Sequence, residues 1–431
     1  MFFPLHLLKI LLFLRYNRKK LLRKGLNDVN ACGLVVEYNP LHNGHVYHIN
    51  AAKEKSNADV MIAVMSGSFL QRGEPAIIDK FHRAETALKV GIDIVLELPY
   101  AYSVQNSDLF AFGAIKTLEA IGVHSVCFGS ESGNIDQFIT SYHILTKKET
   151  DYKQILKQQL EKGLSFPQAS KIAFQQVGLT DELDLGKPNN ILGFSYVKTI
   201  LQNNLQIKPL TIKRIEANYH DDQIEGQISS ATSIRKALLK EKDFTNSIIN
   251  TFPEVTKDAL HNYRKETKRW HDWELYFPLL SYRVSTMTTE QLANIHDVQE
   301  GLENRLKATE KEAKSFEHWM NLLKTKRYTW TRLQRIFTHI LTNTTKEEVK
   351  RIHQQGIPYI KMLGFTNKGQ AFLNTRKKDF NVPLITNFHR SHIPMLQLEE
   401  RASNAYYSIL PPEAKRKRRN RELQGPIVIA E

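Results

Sequence analysis

Gly33-Leu-Val-Val-Glu-Tyr-Asn-Pro-Leu-His-Asn-Gly-His45 is the stretch whose reading decides the fold. Residues 32–37 are an apolar, β-branched run ending in Glu37, the pattern of a strand covered on both faces. Tyr38, Asn39 and Pro40 end it, because Pro40 cannot donate to a ladder and disfavours a helical residue before it. Leu41, His42, Asn43 and Gly44 then lead into a helix predicted to reach about residue 55, with His45, Val46, Tyr47 and His48 in its first turns. His42 and His45, three residues apart, share one face of that helix. Gly44 permits close approach of a ligand, and the unpaired N–H groups of a helix start favour an anion. Two imidazoles converging there make a phosphate site that also donates hydrogen bonds. The four residues alone read as solvated histidines beside a turn; the strand before and the helix after favour a site.

Outward from that stretch the chain alternates as a layered α/β unit does. Further strands are expected at residues 59–66, 93–98, 125–129 and 209–216, and helices at 79–90 and 106–121. Their near-continuous apolar runs predict a parallel sheet covered on both faces. Ligands of such sheets bind beyond the carboxyl ends of the strands. The segments 38–45, 66–76 and 129–133 all follow strands, so they are expected to share one rim and one site. Residues 134–176 read as helices with polar faces, covering one edge of the sheet. Gln71-Arg-Gly-Glu-Pro-Ala76 is a turn-rich loop whose Arg72 either meets a phosphate or carboxylate or is merely solvated. Ile228-Ser-Ser-Ala-Thr-Ser-Ile-Arg235 begins another helix. Ser229, Ser230, Thr232 and Ser233 crowd its start, where hydroxyls and N–H groups face one anion that Arg235 can neutralise.

These segments, together with Met65-Ser-Gly-Ser, Leu96-Glu-Leu-Pro99, Phe128-Gly-Ser-Glu131 and Pro188-Asn-Asn-Ile-Leu-Gly193, resemble the bacterial tRNA(Met) cytidine acetate ligases. That family lies within the H-x-G-H nucleotidyltransferase superfamily, whose members attack the α-phosphate of ATP and expel pyrophosphate. The resemblance runs from residue 32 to the late 330s. It implies a Rossmann-like parallel sheet, and a cytoplasmic ligase that makes acetyl-adenylate and then acetylates the wobble cytidine of elongator tRNA(Met). ATP and Mg2+ are the implied cofactors; acetate and the tRNA are the implied partners. It further implies ATP contacts from Val35, Val36, Glu37, Tyr38, Asn39, Pro40, Leu41, His42, Asn43, Gly44, His45, Val46, Tyr47 and His48. Gly129 would let adenosine approach a strand end, and Asn190 and Arg214 would add contacts. His42 and His45 would donate to phosphate oxygens while Ser233 and Arg235 hold the departing pyrophosphate. The inserted Ala231 departs from the superfamily's I-S-S-T-x-I-R motif and blurs the register of its serines. Taken alone, Gly129 is a strand-ending glycine, and Asn190 competes with a helix-capping role. No carboxylate pair for magnesium stands out.

After about residue 250 the strand patterns fade, which places a domain boundary near Thr251-Phe-Pro253. Residues 31–250 are read as a catalytic domain and 251–431 as a mainly helical tRNA-binding domain. Within the latter, Lys324, Lys326, Arg327, Arg332 and Arg335 interleave with Tyr328 and Trp330 on one helical segment. Such cations take phosphates while aromatics stack on unpaired bases. An amphipathic helix with a solvated basic face is the plainer reading, and the resemblance to a tRNA-using family favours RNA contact. Residues 359–366 and 382–386 are expected as short strands of a terminal subdomain, and Lys415-Arg-Lys-Arg-Arg419 as a solvated basic tail.

The net charge of +15 suits a polyanionic partner. Residues 1–30 carry +6 of it, behind an apolar run at 2–14 too short to span a bilayer. A signal peptide would place its charges before the apolar run. This segment is expected outside the fold, as an upstream start or appended leader, with a weak surface anchor as the other reading and no stable membrane insertion. Cys32 and Cys127 fall in predicted buried strands, as core residues of a reducing compartment, and no structural metal is expected. The absence of G-x-x-x-x-G-K-[ST], of G-x-G-x-x-G with a following acid, and of H-E-x-x-H argues against P-loop, dinucleotide and zinc-protease sites. Two other functions compete. A small-molecule adenylyltransferase is typically shorter and lacks a basic helical domain; a non-catalytic RNA-binding protein has no need of the complete His42, Gly44, His45 set.

Overall fold

Five parallel strands, wound outward to either side of the middle one, are what place the site. The computed structural model describes residues 29–179, 183–214, 231–241, 249–299, 301–326, 328–388 and 393–430. The expected leader, Ser229, Ser230 and Arg327 lie outside the described residues, as does the end of the strand expected to reach residue 216. The strands are β1 (Ala31–Val36), β2 (Val60–Ser66), β3 (Ile94–Leu98), β4 (Ser125–Ser130), β5 (Lys208–Lys213), β6 (Ile360–Thr366), β7 (Leu384–Ile385) and β8 (Ile427–Ile429). They form one sheet in the order β5-β4-β1-β2-β3-β6-β7, with β8 also on β6. From β1 the chain winds to β2 and β3 on one side, then crosses to β4 and β5 on the other. The crevice between the carboxyl ends of β1 and β4 is therefore the topological switch point, where open α/β sheets bind ligands.

Alternation along the strands fills two cores. Val60, Ile62 and Val64 of β2 face one layer and Met61, Ala63 and Met65 the other, all buried. Helices α1 (Asn43–Ser56), α2 (Lys80–Lys89), α3 (Tyr100–Ser103) and α4 (Ser107–Ile121) connect the first four strands. Asp79 and Asn106 cap α2 and α4, accepting from His82 N at 2.9 Å and Leu109 N at 3.1 Å. Helices α5 (Ile135–Lys147), α6 (Glu149–Glu161), α7 (Phe166–Gln176) and α8 (Pro188–Gln202) precede β5. Helix α9 (Ala231–Glu241) rests Ile234 and Leu238 on Ile77 and Ile78 and on α10 (Glu254–Thr267).

The helical region continues through α11 (Trp273–Thr286), α12 (Thr289–Ala293), α13 (Leu302–Glu310), α14 (Phe316–Leu323), α15 (Trp330–Leu341) and α16 (Lys346–Gln355). Trp273, Tyr276, Trp319, Met320, Phe337 and neighbours form its own core. The chain then returns to the sheet, which corrects the expectation of a terminal subdomain. Strand β6 runs antiparallel to β3, with Ile94 opposite Phe365 and Glu97 opposite Lys361. The return satisfies what would otherwise be the exposed edge of β3. Helices α17 (Asn367–Arg376), α18 (Pro394–Tyr406) and α19 (Pro412–Glu422) complete the fold.

Buried charge fastens this return. Glu97 accepts from Lys80 Nζ at 2.8 Å and pairs with Lys361 Nζ at 2.6 Å, and Lys80 also meets Glu422 at 3.0 Å. The basic tail expected at residues 415–419 is instead part of α19. Its Arg418 is buried and pairs with Asp79 at 3.2 Å and with Glu266. A cation-rich helix packs here because acids of two other segments, Asp79 and Glu266, neutralise its inner face. The fold also begins earlier than expected: Val29 packs on the core, and Asn30 Nδ2 donates to Ser56 O at 2.8 Å. No helix among the described residues is long and apolar enough to cross a membrane.

Candidate active site

At the switch point lies a cleft of about 500 Å3. Its walls come from the ends of β1 (Val35, Val36 and Glu37), β4 (Phe128 and Gly129) and β5 (Ile212 and Lys213), followed by Arg214. Helix α1 contributes Gly44, His45, Tyr47 and His48, with His42 just before it. Loop 70–74, Ser107 and Phe110 of α4, one face of α8 as far as Tyr196 and the first turn of α9 close the remaining sides.

The two histidines are held by their own backbone. His42 is the N-cap of α1, and its Nδ1 accepts from Gly44 N at 3.1 Å. His45 Nδ1 accepts from His42 N at 3.2 Å, closing a reciprocal capping box made of imidazoles. The rings lie 3.8 Å apart between centroids, and Tyr38 packs edge-on against His45 at 5.1 Å. This corrects the expectation that unpaired N–H groups of the helix start would take an anion. Asn43 N donates to Thr251 O at 2.9 Å and His45 N to His42 O at 2.8 Å, so the first turn is already satisfied. Each imidazole spends Nδ1 as an acceptor, which leaves Nε2–H as the donor of the neutral ring. Burial, then Arg214 and Arg235, push His42 down to about 3. Burial and then His42 drive His45 well below its usual range. Burial and Arg214 bring His48 down to about 4. All three are neutral at pH 7.

The other expected residues divide. Val35, Val36, Glu37, Gly44, Tyr47, His48, Gly129, Arg214 and Arg235 line the cleft with the two histidines. Tyr38, Asn39, Pro40 and Leu41 are buried beneath it, where Asn39 Oδ1 accepts from Ile77 N at 2.8 Å. Asn43 points away and donates through Nδ2 to Asn250 O at 3.0 Å, and Val46 packs on the core. Asn190 does not reach the cleft. Its Oδ1 accepts from Glu131 N and Ser132 N at 3.1 Å each and its Nδ2 donates to Asp184 O, so the amide is spent bracing the loop after β4. Asn189 faces the cleft instead, with Oδ1 3.3 Å from Arg214 Nη1. Ser233 is likewise buried, leaving Thr232 on the wall. Arg235 donates to Asn39 O at 3.0 Å and to Glu74 Oε2 at 2.9 Å. A Cβ at Gly129 would stand 3.1 Å from the Arg214 stem, so glycine lets that side chain cross the strand end. The reading of the sequence missed Phe110, Asn189 and Tyr196; the helical spacing 189, 192, 193, 196 is the signal that α8 turns one face to the cleft.

The segment expected to contact RNA is less uniform than its sequence. Lys324 and Lys326 are exposed and precede α15. Tyr328 is 7% exposed and its hydroxyl donates to Gln299 O at 3.1 Å, so it is a core residue rather than a stacking platform. Trp330 packs on the same core, and Arg332 lies over the Tyr328 ring at 5.1 Å. Arg335 turns inward to Asp297 at 3.8 Å. Helix α15 abuts the cleft: Thr338 Oγ1 donates to Gly73 O at 2.6 Å, and a Cβ at Gly73, whose φ is +87°, would strike Arg335 N. Away from the cleft, His296, Asp297 and His339 bring metal-type atoms within 4.8 Å of one another, but Arg335 beside Asp297 opposes a dication there.

Residues 29–422 match the HIGH nucleotidyl transferase family model. A tRNA(Met) cytidine acetate ligase of Oceanobacillus iheyensis is 54% identical over 402 residues, covering 93% of this chain and all of that one. The chain belongs to the tRNA(Met) cytidine acetate ligases of the HIGH nucleotidyltransferase family. A second ligase of this name, from Halalkalibacterium halodurans, is 47% identical over 91% of this chain and 96% of its own. The crystal structure of Thermotoga maritima TmcAL superposes with a TM-score of 0.86 at 35% identity, over 93% of this chain and all of that one. The same protein bound with α-thio ATP gives 0.84 at 34% identity, with the same coverage. Family membership makes this chain an enzyme with a nucleotidyltransferase fold, and the cleft of paired histidines is where that fold presents its carboxyl-end crevice.

Proposed function

We propose that this enzyme activates acetate with ATP to acetyl-adenylate and pyrophosphate, then transfers the acetyl group to the wobble cytidine of elongator tRNA(Met) in the cytoplasm. The products are N4-acetylcytidine and AMP. The observation that carries the reading is the pair of imidazoles locked through Nδ1 at the switch point, each left with an Nε2–H donor. Adenylation is an in-line displacement, so positioning and stabilisation of growing charge supply most of the catalysis. Neutral donors with low pKa values meet that need without repelling Arg214 and Arg235. In this reading His42 and His45 donate to phosphate oxygens. Arg235 keeps part of its guanidinium fork for the leaving pyrophosphate, with Thr232 beside it. Gly129, Asn189 and Arg214 form the adenosine side, and Tyr47, 44% exposed, offers a ring to the base.

Magnesium enters this reading on the triphosphate. Of the carboxylates lining the cleft, Glu74 is paired with Arg235 and Glu37 is tied to Gln71, so the protein offers no cage of its own and no step is routed through the metal. Lys324 and Lys326 stand exposed to meet tRNA phosphates. The test is acetate-dependent exchange of labelled pyrophosphate into ATP without tRNA. Exchange that needs acetate supports the reading; its absence with active protein sinks it.

A further inference from the structure

Acetyl transfer ends with a proton to dispose of. The cytidine N4 attacks the acetyl carbonyl carbon, the new C–N bond replaces the C–O bond to phosphate, and AMP leaves with that electron pair. Nitrogen must then lose one proton, and a positioned base is worth about 100-fold or more in rate. The cleft histidines are poor candidates. His42 and His45 hold their protons on Nε2 because Nδ1 of each is spent on a backbone N–H. His48 is held down to about 4 by burial and Arg214, and its Nε2 is buried without a partner among the described residues. Glu74 is bound to Arg235.

We infer that Glu37 is the general base of acetyl transfer, accepting the N4 proton of the cytidine through Oε2. The inference rests on the acetate-ligase reading above. Glu37 lines the cleft at the carboxyl end of β1 and is fixed at both ends. Its carbonyl accepts from Arg83 Nη1 at 2.7 Å, and its Oε1 accepts from Gln71 N at 2.8 Å. Oε2 takes no hydrogen bond among the described residues and is not sealed from the cleft. Arg72, Glu74, Arg83, Tyr196 and Arg235 are the charged and titratable groups around it. Burial, the largest influence, raises its pKa above the ordinary carboxylate value, which brings it closer to the working pH of a base. The proton passes on to water as the product leaves.

Two half-reactions separate this proposal from the reading beneath it: acetate-dependent pyrophosphate exchange, and single-turnover transfer from preformed acetyl-adenylate to elongator tRNA(Met). In the native enzyme, transfer is expected to rise with pH as Glu37 ionises and then level off. Glu37→Gln should lower transfer from preformed acetyl-adenylate about 100-fold or more, beyond any loss of exchange, and abolish that rise. Glu37→Asp, a carboxylate set back by one methylene, should keep the rise at a lower rate. Transfer by Glu37→Gln within a few-fold of native, or equal loss of both half-reactions, overturns the assignment. Native enzyme that performs neither half-reaction overturns the acetate-ligase reading instead.

Discussion

Residues 42–48 and 324–335 are two helix starts built from similar chemistry, basic or imidazole groups among aromatics, and they dispose their rings in opposite ways. At α1 the imidazoles are themselves the capping groups, so backbone N–H bonds pin them at the cleft wall. At α15 Thr329 caps the helix, which leaves Tyr328 and Trp330 at liberty to pack on the helical core. The imidazoles are fixed towards the cleft by bonds to their own backbone, whereas Tyr328 gives its hydroxyl to Gln299 O and its ring to the helical core. Among the described residues of the second segment, Lys324 and Lys326 are the exposed cations that can meet an outside partner.

The largest expected effect tests whether the two halves that carry these helix starts are locked together. Glu97 joins Lys80 of α2 to Lys361 of β6. Glu97→Gln leaves the two buried cations to share Glu422 and should lower stability by about 3–5 kcal/mol in denaturant melts. Burial alone would raise the Glu97 pKa, but Lys361 and Lys80 hold it down, to about 2. Its folded value is below its unfolded one, so its contribution is present above the usual carboxylate range and fades as pH falls towards 2. The native protein should therefore lose stability in acid more steeply than the variant.

Next come the two rings that define the contrast. His45→Ala should cut acetate-dependent exchange about 100-fold or more, equivalent to roughly 2.7–4 kcal/mol, with the far-ultraviolet circular dichroism retained. Tyr328→Leu should behave in the reverse manner. It loses a buried hydrogen bond and some volume, about 1–2 kcal/mol of stability, while exchange and tRNA affinity stay native. Weakened tRNA binding in a folded Tyr328→Leu protein would place that ring on the RNA after all.

The smallest effect lies at the surface. Changing Lys324 and Lys326 together to Ala should weaken tRNA binding and flatten its salt dependence by about 0.7 per lost phosphate contact. An unaltered slope would move the RNA surface elsewhere on the protein.

How much of this was legible in the sequence follows the same physics. Strands β1 to β5 were readable because each is a short, largely apolar run bounded by breakers. His42, His45 and Arg235 were readable as cleft residues because they stand at a helix start or on its first turn, whereas Gly129 and Arg214 came from the family resemblance, Gly129 alone being a strand-ending glycine. Asn190 and Ser233 misled because helix starts turn neighbouring residues in different directions, so Asn189 and Thr232 face the cleft instead. The return of β6 was hidden by Lys361, a charge that reads as surface until Glu97 is found opposite it. Arg418 was hidden in the same way, since its partners Asp79 and Glu266 lie more than a hundred residues away in sequence.

Two chemistries share the in-line step at the α-phosphate, acyl activation and nucleotidyl transfer, and the fate of two labels separates them most directly. The enzyme is incubated with elongator tRNA(Met), ATP and either labelled acetate or α-phosphate-labelled ATP, without acetyl-coenzyme A. The expected result is acetate label in the tRNA at the wobble cytidine and all of the α-phosphate label in free AMP. Label from the α-phosphate retained on tRNA or on a small-molecule product would contradict acetate ligation and assign the cleft to nucleotidyl transfer.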